Sequence, residues 1–358
     1  MSTKLAVAAV YTPTLGGRPA LLALLSDYWA LTKPEVNFLI LITTFAGFYL
    51  GCANEGLKFS WLASFNTLLG TLLVASGTAT LNQYIERKYD SQMRRTARRP
   101  AAAGRVQPRA VVAFGIALSV AGTSYLTFAA GGLPGVLALL TLFSYLFLYT
   151  PLKRKTPLCV LIGAFPGAMP PLIGWAAASG RLTSEAWILY AILFLWQFPH
   201  FMAIAWMYRE DYDRAGYLVL PLGRARFPFV IVQTILPLFA LVAVSITSFR
   251  VHHPGILFWS ELLGIGFLYF GLQFILQRSR ASARRLLAAS IVYLPLLCAL
   301  SLMPERGTSS TGLKYPGAHT HPPCTLIISS TTGAHRQCVV RSHNRVTDPG
   351  FGPTAATM

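Results

Sequence analysis

Long apolar runs alternate with short polar segments along most of the chain. Each run is about 20 residues long, the length that an α-helix needs to cross a hydrocarbon layer about 30 Å thick. Because the segments between the runs are short, the backbone must satisfy its hydrogen bonds within helices that pack on one another. The pattern predicts nine membrane-spanning helices, at residues 36–53, 60–83, 110–130, 133–150, 158–178, 186–207, 228–248, 256–276 and 286–303.

The composition agrees with a membrane protein, since 54% of the 358 residues are hydrophobic and 12% are charged, against about a quarter charged in a soluble domain. A net charge of +18 would also suit nucleic-acid binding. However, 22 of the 30 Lys and Arg residues lie in the N-terminal segment and in the loops after spans 2, 4, 6 and 8. The opposite loops hold only Lys58, Arg181 and Arg250. The positive-inside rule therefore predicts a lipid membrane as the partner, a cytoplasmic N-terminus, and no nucleic-acid partner.

The chain divides into three parts by composition. Residues 1–30 are predicted to be a cytoplasmic N-terminal segment and residues 31–303 the transmembrane domain. Residues 304–358 are rich in Ser, Thr, Gly, Pro and His without helical periodicity, so we predict a disordered tail. The two most polar loops follow spans 2 and 6, which are four helices apart on the same side. An all-α bundle of two parallel four-helix repeats plus a ninth helix is expected.

An acidic motif lies at the end of the second span. Asn82, Glu86 and Asp90 recur every four residues, so their oxygens lie on one helical stripe at steps of about 6 Å. Magnesium takes oxygen ligands, keeps waters and commonly joins one or two carboxylates to substrate phosphates. The basic segment that follows, residues 94–99, can hold diphosphate oxygens through bidentate hydrogen bonds. The pattern predicts a metal-diphosphate site.

Two further polar segments lie on the same side. The fourth span is expected to end at Pro151, followed by Lys153, whose charge can stabilise a departing anion. The sixth span contains His200 beside Pro199, and an intramembrane histidine is costly without a partner. That span is followed by a second acidic motif, with residues Arg209, Glu210, Asp211 and Asp213.

These motifs resemble a known family. Asn82, Glu86 and Asp90, followed by Arg95-Thr96 and Arg99-Pro100, are similar to the first motif of the UbiA superfamily of intramembrane prenyltransferases. Residues 31–34 (Leu-Thr-Lys-Pro) and 196–201 (Trp-Gln-Phe-Pro-His-Phe) resemble the branch of that family that farnesylates protohaem. Glu35 stands where that branch often has Arg. The resemblance covers residues 31–303.

The resemblance implies a reaction and its participants. A farnesyl group would pass from farnesyl diphosphate to a vinyl group of protohaem IX (haem B), with addition of water, giving haem O for haem–copper terminal oxidases. The implied cofactor is Mg²⁺, and the implied location is a bacterial-type inner membrane with the active-site loops cytoplasmic. Haem A synthase and the oxidase assembly machinery are the candidate protein partners.

The resemblance also implies roles for individual residues. The implied catalytic residues are Asn82, Glu86, Asp90, Asp211 and Lys153. The implied metal ligands are Asn82, Glu86, Asp90 and Asp211. The implied diphosphate contacts are Arg95, Arg99, Lys153, Tyr149 and Arg209. His200 is our candidate haem contact, on iron or on a propionate; the alternative is a histidine whose hydrogen bonds are satisfied in the core.

Three other functions fit parts of the pattern. A UbiA-type enzyme acting on an aromatic or quinone precursor would keep the same metal-diphosphate site. A non-catalytic haem carrier or oxidase assembly factor would bind haem without magnesium or prenyl diphosphate. A transporter would distribute its acids through the membrane depth, whereas here they cluster at one end of the spans, which disfavours it.

Overall fold

The structure is a computed structural model that describes residues 20–252 and 254–301. The predicted tail, 304–358, lies outside the described residues. Within them the chain is helical, without a strand. The helices are α1 Ala20–Leu31, α2 Pro34–Asn54, α3 Trp61–Asp90, α4 Pro108–Ala130, α5 Gly132–Phe143, α6 Thr150–Leu152, α7 Cys159–Gly167, α8 Met169–Ser179, α9 Ser184–Met207, α10 Arg209–Arg214, α11 Arg226–His252, α12 Pro254–Gln277 and α13 Arg280–Ser301.

Nine helical stretches in the described part of the chain are long and apolar enough to cross a membrane. Each overlaps one predicted span, so the predicted bundle of two four-helix repeats and a ninth helix is confirmed and the protein is a multi-pass membrane protein. The second span, Trp61–Asp90, has 30 residues, or about 45 Å of helix. Because this exceeds the apolar layer, its last turns carry the acidic motif beyond the membrane interior. We call this end of the bundle the motif end.

The fourth span differs from its prediction. Its helix does not end at Pro151 but continues through α6 to Leu152. A π-helical turn, Ser144–Tyr149, lies just before the proline, and the amide of Thr150 donates to the carbonyl of Tyr145, five residues back. A proline lacks the amide proton and crowds the preceding turn, and the wider π turn makes room for it. The extension brings Thr150 and the residues after it against α3.

The two repeats contact each other closely through glycine. A Cβ atom on Gly47 of α2 would overlap the backbone of Pro171, and one on Gly174 of α8 would overlap the backbone of Thr44. Small residues allow membrane helices to approach to backbone contact, where dispersion and packing hold them together. This contact fixes α2 in the bundle.

The first helix, α1, was not predicted. Its 12 residues span only about 18 Å, too short to cross a membrane. Leu21, Leu25 and Trp29 form an exposed apolar stripe along it, which is typical of a helix at a membrane surface. Gln83 of α3 donates to the carbonyls of Ala30 and Leu31 at 3.0 and 3.1 Å. These bonds hold the end of α1, and the lysine that follows it, beside the acidic motif.

Candidate active site

The oxygens of the first acidic motif point into the protein. Asn82, Glu86 and Asp90 are 0%, 5% and 1% exposed, and they follow one another along the last turns of α3. Burial of two carboxylates is costly unless cations or hydrogen bonds compensate for the lost solvation. Each of the three side chains has such a partner.

The partners of the acids are a lysine from the end of the fourth span and an arginine from the loop after α3. Lys153 Nζ lies 2.7 Å from Glu86 Oε1, and Arg99 Nη1 lies 2.7 Å from Asp90 Oδ2. Burial disfavours the charged form of Lys153, but the Glu86 carboxylate outweighs it and holds the pKa of Lys153 well above its usual value. In each ion pair, a predicted metal ligand meets a predicted diphosphate contact.

Asn82 connects this cluster to a lysine that sequence reasoning missed. Lys33 Nζ donates to Asn82 Oδ1 at 2.9 Å, while Asn82 Nδ2 donates to Thr150 Oγ1 at 3.2 Å. Burial and then the nearby Arg99 guanidinium lower the pKa of Lys33 to about 7. The sequence signal was the Leu-Thr-Lys-Pro run at residues 31–34, which carried part of the family resemblance but no assigned role for the lysine.

The backbone at Lys33 is unusual. Its φ of 52° and ψ of 63° lie in the left-handed region, which a residue with a Cβ seldom adopts and which costs free energy. A lysine held there, between α1 and α2, is fixed by the packing of both helices. Its ammonium group is thus a positioned charge of the site.

The predicted Tyr149 contributes the face of its ring. Lys153 Nζ lies 4.4 Å from the ring centroid, in the range of a cation–π contact. Gly163 of α7 leaves the space that the ring occupies, since a Cβ there would overlap it. The Tyr149 ring therefore stabilises the Lys153 charge through its face. The contact of Tyr149 with diphosphate stays a prediction.

The loop after α3 separates two arginines that the sequence placed together. Thr96 Oγ1 donates to the Asp90 carbonyl at 2.9 Å and turns the chain, so that Arg99 folds back onto Asp90. Arg95 extends instead to the second motif, where its guanidinium carbon lies 4.9 Å from the Tyr208 ring centroid and its Nη2 lies 3.4 Å from the Tyr212 hydroxyl. The two predicted diphosphate contacts thus belong to different parts of the site.

The second motif forms the short helix α10. Asp211 is 8% exposed and accepts a hydrogen bond from Arg214 at 3.1 Å. Glu210 is largely exposed, and Asp213 pairs with Arg226 at 2.9 Å. Arg209 donates to the Trp206 carbonyl at 3.0 Å, and its contact with diphosphate stays a prediction.

A cavity of about 300 Å³ lies between α10 and the loop after α3. It is lined by Arg94, Arg95, Met207, Tyr208, Glu210, Asp211, Arg214 and Arg280. Four guanidinium groups against two carboxylates make it an anion-favouring space. It adjoins Asp211 and lies on the Arg95 side of the site.

His200 lies apart from the charged cluster, at the contact of α9 with α13. Its Nδ1 is 2.8 Å from Ser290 Oγ, and its ring stacks on Trp196 at 4.7 Å between centroids. Ser290 Oγ is also 2.6 Å from the Leu287 carbonyl oxygen. Two oxygens this close need a proton between them, and only the serine hydroxyl supplies one. Nδ1 therefore donates to Ser290, and Nε2 keeps its lone pair.

A loop between α10 and α11 covers the charged cluster. The amide of Leu218 donates to the Lys153 carbonyl at 2.7 Å, and Arg154 donates to the Tyr89 hydroxyl at 2.6 Å. Tyr217 belongs to this loop, and its side chain is buried. Tyr217 was not among the predicted site residues, because the sequence of the loop does not show that the loop folds against Lys153.

The residues present fit a magnesium ion that is shared with a phosphate ligand. Across residues 20–252 and 254–301, no three His, Cys, Asp or Glu side chains come close enough to hold a metal by themselves. The buried oxygens of Asn82, Glu86 and Asp90 supply a partial set of hard ligands. Magnesium suits this arrangement because it completes its octahedral coordination with waters and phosphate oxygens.

Comparison with known proteins extends over most of the chain. The model of the UbiA prenyltransferase family matches residues 40–294. A protein of Solibacter usitatus named protoheme IX farnesyltransferase is 46% identical over 289 residues, which cover 78% of this chain and 99% of the relative. A protein of the same name from Koribacter versatilis is 39% identical over 310 residues, covering 83% and 99%.

Solved structures share the fold at low sequence identity. A structure described for digeranylgeranylglyceryl phosphate synthase has a TM-score of 0.61 at 16% identity and covers 78% of this chain and 97% of its own. A UbiA homologue from Archaeoglobus fulgidus bound to GPP and Mg²⁺ has a TM-score of 0.57 at 14% identity, covering 77% and 98%. The matches in sequence and in fold agree with the motifs of α3 and α10, and the chain belongs to the UbiA prenyltransferase family.

Proposed function

We propose that the chain transfers a farnesyl group from farnesyl diphosphate to a vinyl group of protohaem IX, with addition of water, to form haem O. The observation that carries the transferase part is the buried cluster at the motif end, where Glu86 and Asp90 pair with Lys153 and Arg99. The acceptor is inferred from the relatives named protoheme IX farnesyltransferase, which align over nearly their whole length.

The cluster supplies both kinds of group that a metal diphosphate needs. The carboxylates of Glu86, Asp90 and Asp211 and the amide oxygen of Asn82 would hold Mg²⁺, which neutralises phosphate charge when it is bound. Lys33, Lys153 and Arg99 would bind diphosphate oxygens, together with Arg95, Tyr149 and Arg209. Substrate binding would therefore exchange partners within the cluster: Glu86 and Asp90 would turn from their cations to the metal, and Lys153 and Arg99 would turn to phosphate oxygens.

The chemistry needs a leaving diphosphate, a nucleophilic double bond and water. The bond between farnesyl C1 and oxygen breaks, and its electron pair leaves with the diphosphate. The π electrons of the vinyl group form the new carbon–carbon bond to C1. Water adds its oxygen to the resulting cation and loses a proton to solvent. Lys153 and Arg99 stabilise the charge that grows on the leaving oxygen, which is often the largest contribution to catalysis.

The acceptor would contact His200. With Nδ1 donating to Ser290, Nε2 offers the lone pair that an axial ligand of haem iron requires. The second nitrogen of a metal-binding histidine is typically held by such a hydrogen bond. Ser290 would thus fix both the tautomer and the orientation of the ring.

We expect the motif end to face the cytoplasm of a bacterial-type inner membrane, because Lys and Arg are concentrated in the loops of that end. Farnesyl diphosphate, a charged molecule with an apolar tail, would then enter with its diphosphate at the membrane surface and its chain among the helices. Haem A synthase and the oxidase assembly machinery remain the proposed protein partners.

The test is a mass-spectrometric assay of the purified, detergent-solubilised protein. It receives protohaem, farnesyl diphosphate and Mg²⁺, with EDTA as the control. A metal-dependent hydroxyethylfarnesyl haem is the expected product. Prenylation of an aromatic acid or a quinone precursor instead would move the chain to another branch of the family. Haem binding without any prenyl product would support a carrier or assembly factor.

A further inference from the structure

The hydroxyl of Tyr217 is a buried polar group that lacks a partner among the described residues. The residue is 4% exposed, and no donor or acceptor within residues 20–252 and 254–301 bonds to its hydroxyl oxygen. Native proteins satisfy nearly all buried polar groups because an unsatisfied one costs free energy. Such a group beside a charged site calls for an acceptor that arrives with a ligand.

The position of this hydroxyl is fixed by the backbone and by the ring. The Tyr217 amide donates to the Tyr212 carbonyl at 2.9 Å, and the next amide, of Leu218, donates to the Lys153 carbonyl at 2.7 Å. Gly216, with φ of 69°, makes the turn that this requires. The ring packs edge-to-face against Tyr89 and Tyr212, with centroids 5.9 and 6.0 Å apart. The side chain therefore has little freedom to seek another partner.

Tyr217 lies near the charged cluster, since the amide of the next residue bonds to Lys153. Glu86, Lys153 and Asp90 all lie within electrostatic reach of its hydroxyl. Burial, and then the nearby Glu86, raise the pKa of Tyr217, so the hydroxyl keeps its proton and remains a donor. The carboxylates are already paired with Lys153 and Arg99. The acceptor that is missing is thus an additional anionic oxygen in the same space.

We propose that the Tyr217 hydroxyl donates a hydrogen bond to a diphosphate oxygen of the prenyl substrate. The inference rests on the proposed function and adds a residue to it. The proton stays on tyrosine throughout, because the role is donation to an anion and not acid catalysis. As the bond between C1 and oxygen ionises, negative charge grows on the diphosphate and the hydrogen bond strengthens. Tyr217 then contributes to both binding and turnover.

The test compares wild type with Tyr217→Phe, which removes the hydroxyl and keeps the ring. Binding of magnesium with farnesyl thiolodiphosphate, an analogue that resists ionisation, is measured by calorimetry in detergent. We expect about tenfold weaker binding, as for the loss of one hydrogen bond to a charged group, and a lower kcat with farnesyl diphosphate. The melting temperature without ligand should be unchanged or higher, because the lost hydroxyl had no partner to lose.

The matched control is Tyr125→Phe, at the opposite end of the bundle. The Tyr125 hydroxyl donates to Asn66 Oδ1 at 2.8 Å, so its removal should lower the melting temperature and leave the analogue's affinity as it was. Equal affinity and kcat in Tyr217→Phe and wild type would overturn the inference. So would a fall of the ligand-free melting temperature in parallel with affinity, which indicates a structural role. A wild type that fails to bind the analogue with magnesium would instead overturn the proposed function itself.

Discussion

Lys153 and Glu86 form a buried ion pair across the motif end, with 2.7 Å between Nζ and Oε1 although 67 residues separate them in sequence. Their side chains are only 14% and 7% exposed. In a buried pair, the loss of either partner would leave the other charge buried and unpaired, which is strongly destabilising. The pair can therefore separate when a ligand supplies a new partner to each charge, as a magnesium diphosphate would.

We first predict that the two charges depend on each other for stability. Glu86→Gln leaves Lys153 without its carboxylate and should destabilise the ligand-free protein by about 3 kcal/mol. The double variant Glu86→Gln/Lys153→Met should recover most of that loss, because no unpaired charge remains, yet it should have no transferase activity. Thermal unfolding and the product assay measure the two properties.

An exposed ion pair provides the comparison. Arg181 pairs with Glu55 at the other end of the bundle, and Arg181→Met should change the melting temperature little, since solvent screens the pair. If Glu86→Gln were as stable as wild type, the Lys153 charge would have another partner and the proposed exchange would be wrong.

A second prediction concerns metal and substrate together. Farnesyl diphosphate with Mg²⁺ should stabilise the wild type by about 2.7 kcal/mol at a hundredfold excess over Kd, whereas either component alone should give a small shift. Asp90→Asn removes one proposed metal ligand and should lose the joint effect. Melting curves are recorded under three conditions: with Mg²⁺ alone, with farnesyl diphosphate and EDTA, and with farnesyl diphosphate and Mg²⁺ together. An equal shift with EDTA present would refute a metal-dependent site.

The third prediction tests Lys33. Lys33→Met should weaken binding of the magnesium diphosphate about tenfold, because a positioned cation is lost. Stability without ligand should not fall, since burial already disfavours this charge and lowers its pKa to about 7. Lys58→Met, an exposed change at the opposite end, serves as the control. Unaltered affinity in Lys33→Met would assign this lysine to membrane topology alone.

The fourth prediction separates haem binding from prenyl transfer. His200→Ala should abolish the Soret shift that accompanies haem binding, while the affinity for magnesium diphosphate stays unchanged, because His200 lies apart from the charged cluster. Ser290→Ala should weaken haem binding severalfold, because His200 loses the hydrogen bond that holds its proton on Nδ1 and keeps Nε2 free to bind. Ser301→Ala removes a comparable hydroxyl of the same helix, which donates to the Leu297 carbonyl at 2.9 Å, and should have no effect. A normal haem spectrum in His200→Ala would exclude the proposed contact.

Much of the fold was predictable because its signals are local. A run of about 20 apolar residues specifies a spanning helix wherever it occurs, and nine such runs gave the nine spans. The same holds for Asn82, Glu86 and Asp90, since residues four apart share a helical face. The π turn before Pro151 was not predicted, because a proline can either end a helix or be accommodated by a wider turn before it, and the local sequence does not distinguish the two. The helix α1 was missed because its apolar run is too short to span a membrane.

What the tertiary structure alone decided is which charges meet. The sequence supplied Lys33, Arg95, Arg99 and Lys153 as basic residues of the same side, without showing which polar group each of them would meet. Packing brought Lys33 to Asn82 across 49 residues and Lys153 to Glu86 across 67, and it sent Arg95 to the second motif. Helical periodicity acts within one segment, whereas these contacts depend on how separate segments fit together in space. The sequence by itself determined the spans and the acidic stripe; the arrangement of cations around that stripe arose from the packing of the bundle.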